Sequence, residues 1–250
     1  MANRTVIVTG GAQGIGFAIA KAFSNEGDFV HICDLNADLV IEAANSLVNT
    51  TGHQVDVTNE INVNTFVERV VKENGQVDIL INNAGLQHID RVEDFPLEKW
   101  NLLIKVMLTG PFLLTKAVIP VMKKQQFGRI INISSVHGKT ASPYKSAYIS
   151  AKHGVVGLTK TVAIETANDG ITVNAIMPGA TRTKLIENQL AKLAEQDDIT
   201  EQEALEKNLL IKQPMKRLLE PDEIAQTALF LASDKASAIT GETVSVSGGW

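Results

Sequence analysis

Five apolar and β-branched residues, Thr5–Thr9 (T-V-I-V-T), run directly into Gly10-Gly11-Ala12-Gln13-Gly14-Ile15-Gly16. Apolar side chains then recur at Ile15, Ala18, Ile19, Ala22 and Phe23, the spacing of one helix face. A buried strand, a glycine turn and a helix in that order admit few folds. The glycines expose backbone N–H groups at the helix N-terminus, where geometry and helix dipole both favour a pyrophosphate.

The same alternation continues along the chain. Strand patterns at Phe29–Cys33, up to Asp56-Val57, Val77–Ile81, Arg129–Ile133, Thr172–Met177 and Val244–Val246 are separated by helical ones. The helical stretches are Leu39–Val48, Ile61–Val71, Leu97–Lys124, a helix from about Ala147, and Pro221–Ala232, with Pro111 and Pro120 as expected breaks in the long third one. Strand and helix in turn predict an α/β chain with a doubly wound parallel sheet. No repeat or linker divides it, so residues 1–250 are expected to form one domain. The charged stretch from Thr183 to about Ile211 is its one large insertion, placed as a helical lid or as a hairpin that only packs.

Composition narrows the function. A net charge of −5 offers no basic field for nucleic acid, and the single cysteine, Cys33, allows no intrachain disulfide. No uninterrupted apolar run reaches the ~18 residues of a membrane span. The N-terminus leads directly into a strand, leaving no room for a signal peptide. A soluble cytoplasmic protein is the expectation. The histidines His31, His53, His88 and His153 show no metal-ligand spacing, and no metal site is expected.

Chemistry is suggested by Ser134–Lys152. Tyr148 and Lys152 are four apart and share one helix face, while Ser135 precedes them in a strand-end loop. A phenol ordinarily titrates near ~10. An ammonium at ~4 Å would favour the phenolate by up to ~4 kcal/mol at an effective dielectric of ~20, about three pKa units. The Tyr148–Lys152 spacing alone also suits a lysine stem packed on a ring. Asp34, ending the second strand, can accept both ribose hydroxyls of an adenosine and would repel a 2′-phosphate. With Gln13 rather than a basic residue in the glycine turn, NAD is expected over NADP. Asp56 and Val57, read as the end of the third strand, could face an adenine, although Asp56 also suits a turn before a helix.

The spacing T-G-x-x-x-G-x-G (Thr9–Gly16), with N-N-A-G (Asn82–Gly85), Ser135, Y-x-x-x-K (Tyr148, Lys152) and P-G (Pro178, Gly179), resembles the short-chain dehydrogenase/reductase family over the whole chain. That resemblance implies a single Rossmann-type sheet, hydride transfer with a nicotinamide cofactor, and a homotetramer. It assigns Tyr148 as acid/base, Lys152 as the group that lowers its pKa and holds the nicotinamide ribose, and Ser135 as the residue orienting the substrate oxygen. It places the cofactor against Gly10, Gln13, Gly14, Ile15, Gly16, Asp34, Leu35, Asp56, Val57, Asn83, Ala84, Gly85, Val106, Tyr148, Lys152, Pro178, Gly179 and Thr183.

Gln87, the S-x-H-G of Ser135–Gly138, Lys145, Gln189 and the terminal G-G-W are similar to the D-3-hydroxybutyrate dehydrogenase branch of that family. The likeness implies that Gln87, Ser135, His137, Lys145, Tyr148 and Gln189 hold a small hydroxy or keto acid, with Trp250 at the pocket. His137 could equally cap or pack, Lys145 could be a solvated cation, and Trp250 could fill a subunit interface. A dehydrogenase for a neutral diol, acetoin or sugar alcohol is the alternative. A carrier-protein-linked ketoacyl reductase and a non-catalytic nucleotide-binding protein stand behind it. One departure is visible: Met107 occupies the position where the family commonly carries an asparagine thought to hold a water near the active lysine.

Overall fold

A computed structural model describes residues 3–250. Seven strands form one parallel sheet: β1 (Thr5–Thr9), β2 (Phe29–Asp34), β3 (Thr50–Gln54), β4 (Ile79–Asn82), β5 (Gly128–Ile133), β6 (Ile171–Pro178) and β7 (Thr243–Val246). Their spatial order is β3-β2-β1-β4-β5-β6-β7, and every pairing is parallel. The chain works outward from β1 in one direction, then restarts at β4 on its other side. That switch opens a crevice at the carboxyl ends of β1 and β4, where doubly wound sheets bind ligands.

Helices cover both faces. On one lie α1 (Gly14–Asn25), α2 (Ala37–Asn45) and α9 (Pro221–Leu231); on the other lie α3 (Glu60–Asn74), α5 (Gly110–Gln125) and α6 (Ser146–Thr166). Strand periodicity divides the core between them. Val6, Val8, Ile79, Ile81, Ile131 and Ile133 point into the first layer, whereas Ile7, Leu80 and Ile130 point into the second. Both faces are dry, which is why the strands read as continuous apolar runs rather than alternating ones.

Three details depart from the sequence reading. The third strand closes at Gln54, so Asp56 and Val57 lie in the loop beyond it. There Asp56 Oδ1 accepts from the backbone N–H and hydroxyl of Thr58, at 2.9 and 2.7 Å, and shapes the turn before α3. The long helical stretch consists of α4 (Leu97–Ile104), a π-helical turn (Lys105–Thr109) and α5. Pro111 has no N–H to donate and its ring crowds the carbonyl of Met107, so the helix widens just before it. Pro120, by contrast, sits inside α5 without ending it. Leu97–Gln125 is also long and apolar enough, by length and composition, to cross a membrane. Lys105 and Lys116 interrupt it as an apolar run, and here its buried residues pack on the sheet and on α3 and α6.

The insertion forms α7 (Lys184–Asp197), α8 (Glu201–Asn208) and a 3₁₀ turn (Leu210–Lys212). Leu190, Ala194, Ala204 and Leu209 join Ala180 and Leu218 in a small core of their own. Thr200 and Glu203 cap α8 reciprocally.

A pair invisible in the sequence forms at the sheet edge. His31 Nδ1 lies 3.0 Å from His53 Nε2, and His31 Nε2 lies 2.8 Å from Asn74 Oδ1. Burial lowers both pKa values, that of His53 to about 4, with the neighbouring His31 and Arg69 adding to its drop. The native state therefore binds fewer protons than the unfolded chain between about pH 6.5 and 4, and stability falls as pH is lowered through that window. Thermal unfolding should show a loss on the order of 2 kcal/mol from this pair. His53→Gln should flatten that slope; an unchanged slope would exclude the pair as its source.

Candidate active site

Gly10 leaves β1 with φ of +61°, a left-handed conformation open to glycine at little cost. Gly16 lies in the first turn of α1, where a Cβ would stand 2.2 Å from Gly10 O and 2.4 Å from Asn83 Nδ2. Asn83 Nδ2 donates to the carbonyls of Thr9 and Gly10, each at 3.0 Å, and Thr9 Oγ1 accepts from the backbone of Asn83 and Ala84. The N-N-A-G segment is thereby fastened to the glycine turn across the switch point. Gln13 precedes α1 without a side-chain cap, leaving the helix N–H groups for an anion.

A cleft of about 350 Å³ runs from this turn to Tyr148. Gly10, Gln13, Gly14, Ile15, Asp34, Leu35, Asp56, Val57, Asn83, Ala84, Gly85, Val106, Ser135, Tyr148, Lys152, Pro178, Gly179 and Thr183 all line it. Gly16 does not; its role is the close packing just described. Thr183 caps α7, and its methyl would lie 3.3 Å from a Cβ on Gly14, so the start of the insertion rests over the glycine turn. Leu86, Ile133, Thr181, Leu185 and Ile186 also line the cleft. Four of them are apolar wall residues and Thr181 spends its hydroxyl on Gly179 O, so none carries a motif in the sequence. The uncapped helix, the left-handed turn and Asp34 at the mouth suit a dinucleotide, whose pyrophosphate the turn would hold and whose ribose Asp34 would hold.

At the other end, β5 delivers Ser135 and α6 delivers Tyr148 and Lys152. Ser135 shares a hydrogen bond with Tyr148. Lys152 Nζ lies 5.6 Å from the Tyr148 ring centre and donates to Ile133 O at 2.7 Å. The electrostatics differ from the sequence expectation. Burial raises the Tyr148 pKa above the ordinary phenol value, and its hydrogen bond to Ser135 only partly offsets this. Burial also lowers the Lys152 pKa to about 8. Both groups are pushed toward their neutral forms, so the predicted three-unit drop is absent from the protein alone: burial dominates at each.

Around Tyr148 lies a second set of residues. His137 meets the Tyr148 ring edge-on at 6.0 Å and the Trp250 ring at 5.4 Å. Its Nε2 is 2.9 Å from Ser142 Oγ. Burial, with Lys145, Lys212 and His153 nearby, lowers its pKa to about 4. Lys145, at the start of α6, is lowered to about 8 by burial and by Lys212. Gln189 is buried on α7. Gln87 turns back on its own loop, its Oε1 accepting from the His88 N–H at 3.1 Å. Ser142 and Lys212 escaped notice in the sequence, since a serine in a loop and a lysine in a charged insertion carry no pattern. Met107 is buried in the π-helical turn among Leu103, Ala147, Ala151 and Tyr148, where it fills space.

The matching family model, described as enoyl-(acyl carrier protein) reductase, covers residues 10–250. The chain belongs to the short-chain dehydrogenase/reductase family. It is 47% identical over 254 residues to the uncharacterized oxidoreductase YxjF of Bacillus subtilis, with 100% of this chain and 99% of that one covered. It is 41% identical over 254 residues to a D-beta-hydroxybutyrate dehydrogenase of Rhizobium meliloti, covering 99% and 98% of the two chains. A D-beta-hydroxybutyrate dehydrogenase of Cupriavidus necator is 38% identical over 252 residues, again with 99% and 98% covered. The chain is thus an oxidoreductase with a Rossmann-like fold, of a family that uses NAD or NADP.

Proposed function

We propose that the protein interconverts D-3-hydroxybutyrate and acetoacetate with NAD, using Tyr148 as acid/base. The observation that carries this reading is the unbalanced positive charge beside Tyr148. Lys145 is held against burial one turn away, and the charged neighbours that perturb it and His137 are all basic. A substrate carboxylate would neutralise that charge, and charge-assisted hydrogen bonds to it are strong. NAD is favoured because Asp34 and Leu35 face the cleft with no arginine beside them to accept a 2′-phosphate.

In the oxidative direction Tyr148 takes the hydroxyl proton, and Ser135 holds the oxygen it leaves. Lys152 would hold the nicotinamide ribose. NAD, when bound, supplies the hydride acceptor. Lys145 and the buried Gln189 would hold the carboxylate, fixing the distance from that charge to the reacting carbon, while His137, engaged with Ser135 and Ser142, would wall that end of the site. Gln87 would have to turn from its own loop to join them. The segment from Thr183 to Ile211 serves as the lid of a single catalytic domain. Exposed Leu97, Leu102 and Phe112 on α4 and α5 offer an apolar face for a homotetramer, and a cytoplasmic setting suits this substrate.

A spectrophotometric screen of D- and L-3-hydroxybutyrate against acetoin and neutral diols, with NAD and NADP, tests the proposal. NADH formation from the D-acid alone is expected. Preference for a neutral alcohol would replace this reading with the diol alternative. Lys145→Ala should raise KM for the acid roughly tenfold or more with a smaller change in kcat, whereas His137→Leu, which removes a partner of Ser135, should lower kcat as well. An equal effect of Lys145→Ala on a neutral alcohol would show that Lys145 does not read the charge.

A further inference from the structure

Four side chains outside and inside the proton-transfer site form one file. Lys212 Nζ lies 3.3 Å from Ser142 Oγ, and Ser142 Oγ lies 2.9 Å from His137 Nε2. His137 Nδ1 is 3.4 Å from Ser135 Oγ, which also accepts from the His137 backbone N–H at 3.1 Å. The file joins a lysine at the end of the insertion to the serine beside Tyr148. Lys212 is held from two sides. Its ammonium lies 5.8 Å from the centre of the Trp250 ring, and the next residue, Gln213, is fully buried and accepts from the Ala180 N–H at 2.9 Å.

The chemistry of the donors gives this file a direction. An ammonium has three protons and no lone pair, so Lys212 can only donate and Ser142 must accept. The Ser142 proton is then available to His137 Nε2. His137 is neutral at pH 7, because burial together with Lys145, Lys212 and His153 disfavours its charged form. A neutral imidazole carries one proton, and a ring that accepts at Nε2 carries it on Nδ1, facing Ser135. Ser135 Oγ thus receives two donors, and its own hydrogen, directed at Tyr148 in the protein alone, is the one it can turn to the reacting oxygen. In the opposite tautomer Ser142 would take both donors, and the bare His137 Nδ1 would draw the Ser135 hydrogen away from the reacting oxygen.

We infer that Lys212 is a positioning residue: through Ser142 it holds His137 in the Nδ1–H tautomer and so aims the Ser135 proton at the substrate oxygen. The inference rests on the reading of Ser135 and Tyr148 as the proton-handling pair, and it adds a remote cation that sets their hydrogen-bond polarity. It also ties that polarity to the insertion, since Lys212 reaches Ser142 only while the 3₁₀ turn stays seated.

The ring ¹⁵N resonances of His137, assigned with a His137→Asn variant and recorded on the NADH-bound protein, test this without turnover. The wild type should carry its proton on Nδ1. Lys212→Met, which keeps the aliphatic stem against Trp250, and Ser142→Ala should each move a substantial fraction to Nε2–H, whereas Lys212→Arg should retain the wild-type pattern. With D-3-hydroxybutyrate, Lys212→Met and Ser142→Ala should each lower kcat about fivefold, and the double variant should be no worse than either, because both break one file. Unchanged NADH affinity would show that the fold is intact. A wild-type proton on Nε2, a Lys212→Met spectrum identical to wild type, or an unchanged kcat in both variants overturns the inference. Because the resonances need no reaction, failure of the substrate assignment would leave the tautomer result readable by itself.

Discussion

Tyr148→Phe should reduce turnover at least about 100-fold while leaving NADH affinity within a few-fold of wild type, because the variant keeps the ring and loses only the acid/base group. The Ser135 hydroxyl would lose its phenol partner, but nothing else in the cleft depends on that oxygen. The direction of the pKa shift adds a second expectation. Burial raises the Tyr148 pKa, so its proton-accepting form is scarce at neutral pH and increases as pH rises. Alcohol oxidation should therefore accelerate into the alkaline range, while ketone reduction, which needs the protonated phenol, should not. Steady-state kinetics from pH 6 to 10 in both directions would check this. Normal turnover in Tyr148→Phe would remove that residue from the chemistry.

Gly16→Ala is expected to have an effect of similar size by a different route. Its methyl would stand 2.2 Å from a backbone carbonyl and 2.4 Å from the amide that ties Asn83 to the turn. Neither neighbour is the free end of a flexible side chain, so α1 or the turn must shift. A displacement near 1 Å at the pyrophosphate cradle should weaken NADH binding on the order of 100-fold, by analogy with misplacement in other sites. The overpacking itself should cost about 1–3 kcal/mol of stability. Gly75→Ala is the control for crowding. Gly75, unlike Gly16, has a positive φ, +78°, and a Cβ there meets nothing within 4 Å. It should lose some stability from backbone strain and bind NADH normally. NADH fluorescence titration and thermal unfolding of the two variants separate the cases; equal binding by both would refute the close-packing account.

The electrostatic correction at Tyr148 bears on how the site works. Four residues of spacing were enough to predict that Tyr148 and Lys152 share a face, and they do. They could not show how deeply both groups are withdrawn from water, and in the protein alone burial pushes each toward its neutral form. Met107 belongs to the same lesson. Its place in the long helical stretch was legible, but its burial against Leu103, Ala147 and Ala151 follows from the π-helical widening before Pro111.

Local order alone determined a good deal. Period-two and continuous apolar runs marked the strands, apolar spacing marked the helices, and their alternation required a parallel sheet with crossover helices, because parallel strands cannot be joined by tight turns. The glycine turn and Asp34 stood at the ends of adjacent strands in the sequence pattern itself. Only the tertiary structure decided which distant residues meet. The β2–β3 register pairs His31 with Thr51 and so leaves His53 diagonal to it, near enough to bond. The end of the insertion brought Lys212 to Ser142 across 70 residues of chain, and the C-terminus brought Trp250 to His137. Such meetings depend on how elements dock and how much water they exclude. Those are properties of the packed whole, and no window of residues along the chain contains them.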